Sequence, residues 1–527
     1  MIKVPAAVVV CTVALVVCYA YQSGPLVAIL VCVSAHLATQ VISAARTKPY
    51  PPGPRGWPVL GNLLQIPQDS PWLTYSAWAD TYGEVVHLKA LSDHLVILNT
   101  AQAAKDLLDG RSTIYSDRPG SVMTELSGFG IEMPMLSYND QWRRQRKIFV
   151  QSFNSGMMPG YHRIQEHEAR KLVQGILRRP ETLVSQTKTR IAAIIMRVTY
   201  GYTVKGEDDP MITVPFAAME NFGTATEPGT WIVDFIPQLQ YLPRWVPGAS
   251  FLRIAEEYRQ LEHKASWSPY LWCKEKVQEG SEEPCLVASA LSQFEGDMNN
   301  EDEAALVWAA SSGLGGGLDT NMSTIFTFLL AMMRNPHIQA KAQAEIYEVV
   351  GTECLPSITD RPSLPYVRSV IAEVFRCDPA TPLGLPHAVR QDDVYKNYLL
   401  PKSSIVIPNV WRMLHDPCVY PQPDEFRPER FENSDSEMRK VTDLVFGFGR
   451  RSCPGSQFAE SSIFAIVATI LATCNIVPKL DEQGQPIVPP MEYTNGVIVF
   501  PKHIVCDVKP RSPRAEELLG EYLSRSQ

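Results

Sequence analysis

The 527-residue chain has little of what marks several protein classes. It holds no CxxC pair, and its eleven cysteines are odd in number and irregularly spaced. That excludes a disulfide framework and points to free thiols in a reducing compartment. It has no excess of basic residues. Its 48 Lys and Arg stand against 56 Asp and Glu, a net charge of −8, whereas a dedicated nucleic-acid binder carries a basic surface. No repeat and no low-complexity tract is present. With 45% hydrophobic and 20% charged residues, a disordered or collagen-like chain is excluded. No Asp, Glu, Lys or Arg stands between Lys3 and Arg46.

That uncharged stretch contains a continuous apolar run from Val4 to Tyr21. At ~1.5 Å per residue such a run reaches ~27 Å, close to the hydrocarbon thickness of a bilayer. A second run, Pro25 to Thr39, reads as a second span, a re-entrant segment or an interfacial helix. A cleaved signal peptide is the rival reading, but the apolar stretch continues past any cleavage point. Arg46, Lys48 and Arg55 follow, which places the downstream chain on the cytosolic side. Residues 1–45 are therefore expected to be a membrane anchor. Residues 46–61, with Pro51-Pro52-Gly53-Pro54, Gly56, Pro58 and Gly61, form a basic, stiff hinge, because proline cannot continue a helix.

Residues 62–510 form the body, and 511–527 a polar, frayed tail. Helical periodicity covers Asp140–Phe153, Glu301–Asn335, His337–Val350 and Leu364–Arg376. β-like runs are short: Val85–Leu88, Leu95–Leu98, Ile405–Ile407 and Val497–Phe500. With 42 prolines, above the ~5% average, uninterrupted strands are few. The fold class is mostly α with small β-sheets.

The densest chemical signal is Phe446-Gly447-Phe448-Gly449-Arg450-Arg451-Ser452-Cys453-Pro454-Gly455. Three glycines and a proline surround one cysteine between two predicted helices. Such a loop permits positive φ and close approach of backbone to a flat ligand. A thiol just before a helix N-terminus, facing amides, has a lowered pKa and can be a nucleophile or a metal ligand. Zinc would need three further ligands, which the loop does not supply.

This loop resembles the haem-binding signature of the cytochrome P-450 family, F-x-x-G-x-R-x-C-x-G, at Phe446, Gly449, Arg451, Cys453 and Gly455. The resemblance implies haem b with Cys453 as its axial thiolate on iron, Arg451 on a propionate, and Phe446 beside the loop. Thiolate ligation favours O–O cleavage.

The long helix carries Gly313, Gly315, Gly316 and Gly317 within five positions, and each mid-helix glycine costs ~1 kcal/mol relative to alanine. A phosphate loop would need a following Gly-Lys-Ser/Thr, which is absent. Kinking over a flat cofactor explains them better than close helix packing. Gly316 to Thr320 is similar to the family's [AG]-G-x-[DE]-T element, which implies Asp319 as proton source and Thr320 as the hydroxyl near bound O₂. Asn321 stands where many relatives carry Thr or Ser.

Glu373 and Arg376 share a helix face and match the family's E-x-x-R element. With Arg430 of Pro428-Glu429-Arg430-Phe431, they imply a structural charge triad. Trp142 and Arg146 fit W-x-x-x-R, which implies contact with the haem propionates, although a solvated basic face reads similarly. His387 stands where relatives place another propionate donor.

The resemblance spans the anchor, the hinge and residues 51–510. Ser70-Pro71-Trp72-Leu73-Thr74, Tyr241-Leu242-Pro243, Trp245-Pro247-Gly248 and Leu385-Pro386-His387 look most like fungal members of specialised metabolism. It implies a monooxygenase of the endoplasmic reticulum membrane, acting on an apolar terpenoid or polyketide. Electrons would come from NADPH-cytochrome P-450 reductase, with cytochrome b5 as a second donor, and Arg143, Arg144 and Lys147 could help dock the partner. Specificity would come from residues 121–136, from Trp308 and Ser312, and from segments after Glu373 and near Val497, with Phe129, Met133, Met135 and Trp308 lining an apolar pocket. The alternative is a haem-thiolate carrier, sensor or isomerase that does not activate O₂.

Overall fold

The computed structural model describes residues 48–525 except 228, 294–297 and 433. The expected anchor, with its runs at 4–21 and 25–39, lies outside the described residues.

Twelve helices of ten or more residues dominate the described chain: α1 (Pro71–Tyr82), α2 (Asp140–Ser152), α3 (Met158–Arg178), α4 (Leu183–Tyr200), α5 (Pro210–Thr226), α6 (Ser250–Gln278), α7 (Asn300–Arg334), α8 (Pro336–Val350), α9 (Pro365–Cys377), α10 (Asp435–Val445), α11 (Ser456–Thr473) and α12 (Pro513–Arg525). Their ends follow local chemistry. The Asn139 side chain caps α2 by accepting from the Trp142 amide at 2.9 Å. Asn299 does the same for α7, whose first turn carries Glu301, Asp302 and Glu303 and whose last turn carries Arg334, matching the helix dipole. Pro336 then ends α7 and opens α8.

The strands are few: β1 (Val85–Ala90), β2 (Asp93–Leu98), β3 (His387–Ala388), β4 (Asp393–Tyr395), β5 (Tyr398–Leu400), β6 (Ile405–Pro408), β7 (Cys474–Leu480), β8 (Pro486–Ile487) and β9 (Cys506–Pro510). The largest sheet runs β1-β2-β6-β3. β1 and β2 are an antiparallel hairpin, and β6, some 300 residues later, adds to β2 in parallel with Leu95 opposite Ile405. β3 returns antiparallel, which sets His387 opposite Val406.

α7 crosses the main core and packs on α4, α2 and α11. α11 is, among the described residues, the one helix long and apolar enough to cross a membrane, but it is mostly buried against α3 and α7.

Two expectations are corrected. Val497–Phe500 is not a strand: the Val499 amide donates to the Ala380 carbonyl at 2.9 Å, and its own carbonyl accepts from the Ser323 hydroxyl at 2.6 Å. Its backbone is thus spent on α7 and a loop rather than on a ladder. Within the expected tail, Pro513–Arg525 is not frayed but forms α12. In α12, Ala515, Leu519 and Leu523 recur at helical spacing and are buried, and the Arg170 guanidinium of α3 lies 3.7 Å from the Tyr522 ring centroid.

Candidate functional site

The cysteine loop folds back on itself: the Cys453 amide donates to the Phe446 carbonyl at 2.6 Å. Gly447 and Gly449 have φ of +77° and +55°. A Cβ on Gly449 would stand 2.2 Å from the Leu108 carbonyl oxygen, so only glycine lets the loop rest on the segment that ends at Asp109. The Gly449 amide donates to the Asp109 carboxylate there. Phe446 meets Phe375 of α9 edge-on, with centroids 5.6 Å apart. Cys453 stands three residues before α11. Burial pushes its thiol pKa up, while the Gly455 amide and the Arg146 guanidinium pull it down. Its side chain nevertheless presents free surface. A thiol walled in by protein yet open on one side faces an internal space.

Three guanidiniums gather beside the loop. Arg451 donates to the carbonyls of Ser116 at 2.8 Å, Met133 at 3.3 Å and Leu136, and lies 4.7 Å from the Trp142 ring centroid. Arg146 donates to the Ser452 carbonyl at 2.7 Å. Arg118 donates to the carbonyls of Pro134, Leu385 and Pro386 at 2.7–2.9 Å. Burial lowers the pKa of all three. Their polar contacts are backbone carbonyls, and none forms an ion pair among the described residues. Arg118 and Arg451 are buried and Arg146 half-buried, and Asp117 is the carboxylate that acts on Arg118 and Arg451 without pairing with either. Partly compensated buried cations are costly, so this cluster suits a bound anion.

His387 is buried beside them. Its Nδ1 pairs with the Tyr115 carbonyl at 2.7 Å and so carries the proton, which leaves Nε2 as an acceptor. Burial, then Arg118, pushes its pKa well down, against the pull of the Tyr115 carbonyl.

On α7 the glycines divide their work. A Cβ on Gly313 would meet Phe149 of α2 at 2.5 Å, on Gly315 Met219 of α5 at 2.8 Å, and on Gly317 Ile195 of α4 at 2.8 Å. α7 is helical without a break from Asn300 to Arg334. Three of the four glycines thus sit against side chains of neighbouring helices, a close packing that accompanies the kink expected from the sequence rather than testing it. Gly316 alone borders open space. Thr320 donates its hydroxyl to the Gly316 carbonyl at 2.8 Å, leaving its lone pairs to accept. Burial raises the Asp319 pKa to about 6, opposed by Lys188 and assisted by Glu220.

The triad is built as expected. Arg376 grips Glu373 with two bonds of 2.8 and 3.0 Å, and Arg430 reaches Glu373 Oε1 at 3.0 Å. Both Glu373 and Arg376 are fully buried.

A model of the Cytochrome P450 family matches residues 51–505. This chain belongs to the cytochrome P450 family. It is 52% identical over 497 residues to Cytochrome P450 monooxygenase 105 of Postia placenta, covering 94% of this chain and 95% of that one. It is 48% identical to Cytochrome P450 monooxygenase 45 of the same fungus, covering 96% of each, and 38% identical to Cytochrome P450 monooxygenase claR of Ampulloclitocybe clavipes, over 90% and 89%. A solved zebra fish cytochrome P450, determined with progesterone, shares the fold with a TM-score of 0.70 at 23% identity, covering 84% of this chain and 99% of that one. The protein is thus a fungal-type P450 monooxygenase rather than a haem carrier or isomerase, and its cofactor is haem held through an axial cysteine thiolate.

The residues present fit that group. A thiol opens onto an internal space, a side-chain-free helix surface borders open space, and three guanidiniums without an ion pair, two of them buried, suit carboxylates. Sequence reasoning missed Arg118. Its Asp117-Arg118-Pro119 setting has no periodicity, and only the fold brings it to Arg451 and His387.

Proposed function

We propose that Cys453 is the axial ligand, that Arg118, Arg146 and Arg451 hold the haem propionates against Trp142, and that Gly449 and Phe446 shape the loop. Three guanidiniums without an ion pair, those of Arg118 and Arg451 buried and that of Arg146 half-buried, beside an accessible thiol carry this reading. His387 joins them as a donor only after propionate charge raises its pKa, since neutral it accepts at Nε2. The haem supplies reductive activation of O₂, by which one oxygen atom enters an apolar substrate and the other leaves as water, with two electrons and two protons consumed. Asp319, its pKa raised to about 6, is mostly ionised at neutral pH but close enough to it to take up and pass on a proton, and Thr320, its hydroxyl hydrogen committed to the Gly316 carbonyl, accepts from water in the space beside Gly316. NADPH supplies the electrons through a flavoprotein reductase, with cytochrome b5 as a second donor. The exposed Lys147, beside Arg143 and Arg144, lies on the docking face.

The substrate is a terpenoid or polyketide of fungal secondary metabolism. Met133 and Trp308 are buried at the proposed wall, and Phe129 packs on Phe222. The chain works at the endoplasmic reticulum membrane with its body in the cytosol. Trp57, Val59 and Leu64 near the hinge, and Tyr241 and Trp245 in the 227–249 segment, are all more than 60% exposed. A Cβ on Gly229 would lie 3.3 Å from the Gln68 side chain, so the two segments meet in one aromatic-rich apolar face suited to a lipid interface.

The test is a spectral titration of haem-loaded protein with terpenes, aromatic polyketides, indoles and fatty acids. A saturable high-spin shift with terpenes or polyketides supports the substrate class. A shift with another class alone overturns it, and a Cys453→Ser protein with an unchanged haem spectrum overturns the ligand assignment.

A further inference from the structure

A second polar cluster lies away from the cysteine loop. Glu132, in the loop at 121–136, and Glu262, on α6, are buried and hydrogen-bonded to each other. The Ser311 hydroxyl of α7 lies 3.1 Å from Glu132 Oε1 and 3.5 Å from Glu262 Oε1. The Ser266 hydroxyl donates to Glu262 Oε1 at 2.6 Å and lies 2.8 Å from that of Ser311. The groups acting on the pair are burial, each other and these two serines; among the described residues no Arg, Lys or His compensates either carboxyl. From α4 the Tyr200 hydroxyl, fully buried and without a hydrogen-bond partner, is close enough for both carboxyls to raise its pKa, as do the Cys273 and Cys285 thiols.

Two carboxylates cannot both be ionised at hydrogen-bonding distance in such a site. Burial accordingly raises both pKa values. The pair stays hydrogen-bonded only while it keeps a proton.

What the proton holds is the loop. The Ile131 carbonyl accepts from Gln145 of α2 at 2.9 Å, and the Met133 amide donates to Ser312 of α7 at 3.0 Å. The Pro134 carbonyl is taken by Arg118, and those of Met133 and Leu136 by Arg451. The six residues from Ile131 to Leu136 thus tie the carboxyl pair, at one end, to the cationic cluster at the other.

We propose that the Glu132–Glu262 pair is a proton-held latch that positions the 121–136 loop against α6 and α7, and that its ionisation releases this loop. Glu132 and Glu262 are positioning residues, not catalytic ones. That the loop walls the substrate space rests on the proposed function; the latch itself does not.

Linkage sets the size of the effect. If opening requires loss of one proton, the opening constant rises up to about tenfold per pH unit between the ordinary carboxyl pKa of the open state and the raised pKa of the closed latch, and levels off above the latter. The test uses haem-loaded wild type and E132Q/E262Q, whose amides keep the hydrogen bonds but cannot ionise. At about pH 8, where Asp319 is ionised, the infrared spectrum of wild type should contain a protonated-carboxyl stretch that the double variant lacks. Hydrogen exchange of the 128–136 amides, corrected for its intrinsic base-catalysed rate, should accelerate with pH up to about tenfold per unit in wild type and stay flat in the variant. Phenylimidazole, an iron-ligating apolar probe, should lose affinity with the same pH profile in wild type alone. Equal pH dependence in both proteins overturns the latch. So does a wild-type spectrum without a protonated carboxyl, which needs no variant to fold. The carbon monoxide-bound haem spectrum reads Cys453 ligation separately, so failure of the latch and failure of the haem assignment are distinguishable.

Discussion

Truncating Arg376 should be the most damaging single change outside the haem loop. Its guanidinium gives Glu373 two bonds and also donates to the carbonyls of Leu414 at 3.0 Å and Pro423 at 2.8 Å. In Arg376→Ala, Glu373 would keep Arg430 and the Arg427 amide, at 3.0 and 2.8 Å, but lose half its charge compensation. Two carbonyls would be left without their donor. Breaking a buried pair by removing one partner costs about 3–5 kcal/mol, a large share of a total of about 5–15 kcal/mol. Arg144, half-exposed and paired with Glu301 at 3.0 Å, is the control: its truncation should cost less than about 1 kcal/mol. Arg376→Lys, which keeps the charge but not the bidentate fork, should fall between. The assay is urea unfolding of haem-loaded protein, followed by far-ultraviolet circular dichroism and by the haem band, with the midpoint compared at unchanged slope. A loss for Arg376→Ala no larger than that for Arg144→Ala would refute the claim that the triad locks this region.

Gly449→Ala forces φ +55° on a residue with a Cβ, at about 1–2 kcal/mol, and drives that Cβ into the Leu108 carbonyl. It should lower both haem content and thermal midpoint, whereas an unchanged haem-to-protein ratio would contradict the loop's need for glycine. Asp319→Asn should reduce turnover yet stabilise the fold at neutral pH. The folded pKa is raised from 3.8 to about 6, so wild type is favoured at low pH and loses that contribution as pH rises through about 6, by at most about 3 kcal/mol. A variant no more stable than wild type at about pH 8 would count against the buried, strained acid. Arg118→Ala should lower haem retention through gel filtration, with Arg118→Lys restoring part of it. Equal retention in all three proteins would remove Arg118 from the proposed propionate site.

The helical class and the three core strands are legible because their signals are local: apolar periodicity over α2, α7, α8 and α9, and β-branched runs at β1, β2 and β6. α12 was misread as a tail because its polar composition hides three apolar residues at helical spacing, whose worth depends on α3 being there to cover them. Val497–Phe500 failed for the converse reason, since strand-like composition says nothing about where a partner backbone lies.

The chain's family and its cofactor were legible in the sequence by itself, because the ten consecutive residues around Cys453 resemble the family's haem-binding signature and need no distant part of the chain to be recognised. The work of the individual α7 glycines was decided only by tertiary structure: three clear room for Phe149, Met219 and Ile195, and one borders open space, a division invisible in a run of identical residues. The same holds for the cationic cluster and the carboxyl pair. Arg118, Arg146 and Arg451, like Glu132 and Glu262, lie far apart in the chain, and it is their gathering in the fold, which no sequence spacing encodes, that makes ordinary charged residues the proposed anion site and the proposed latch.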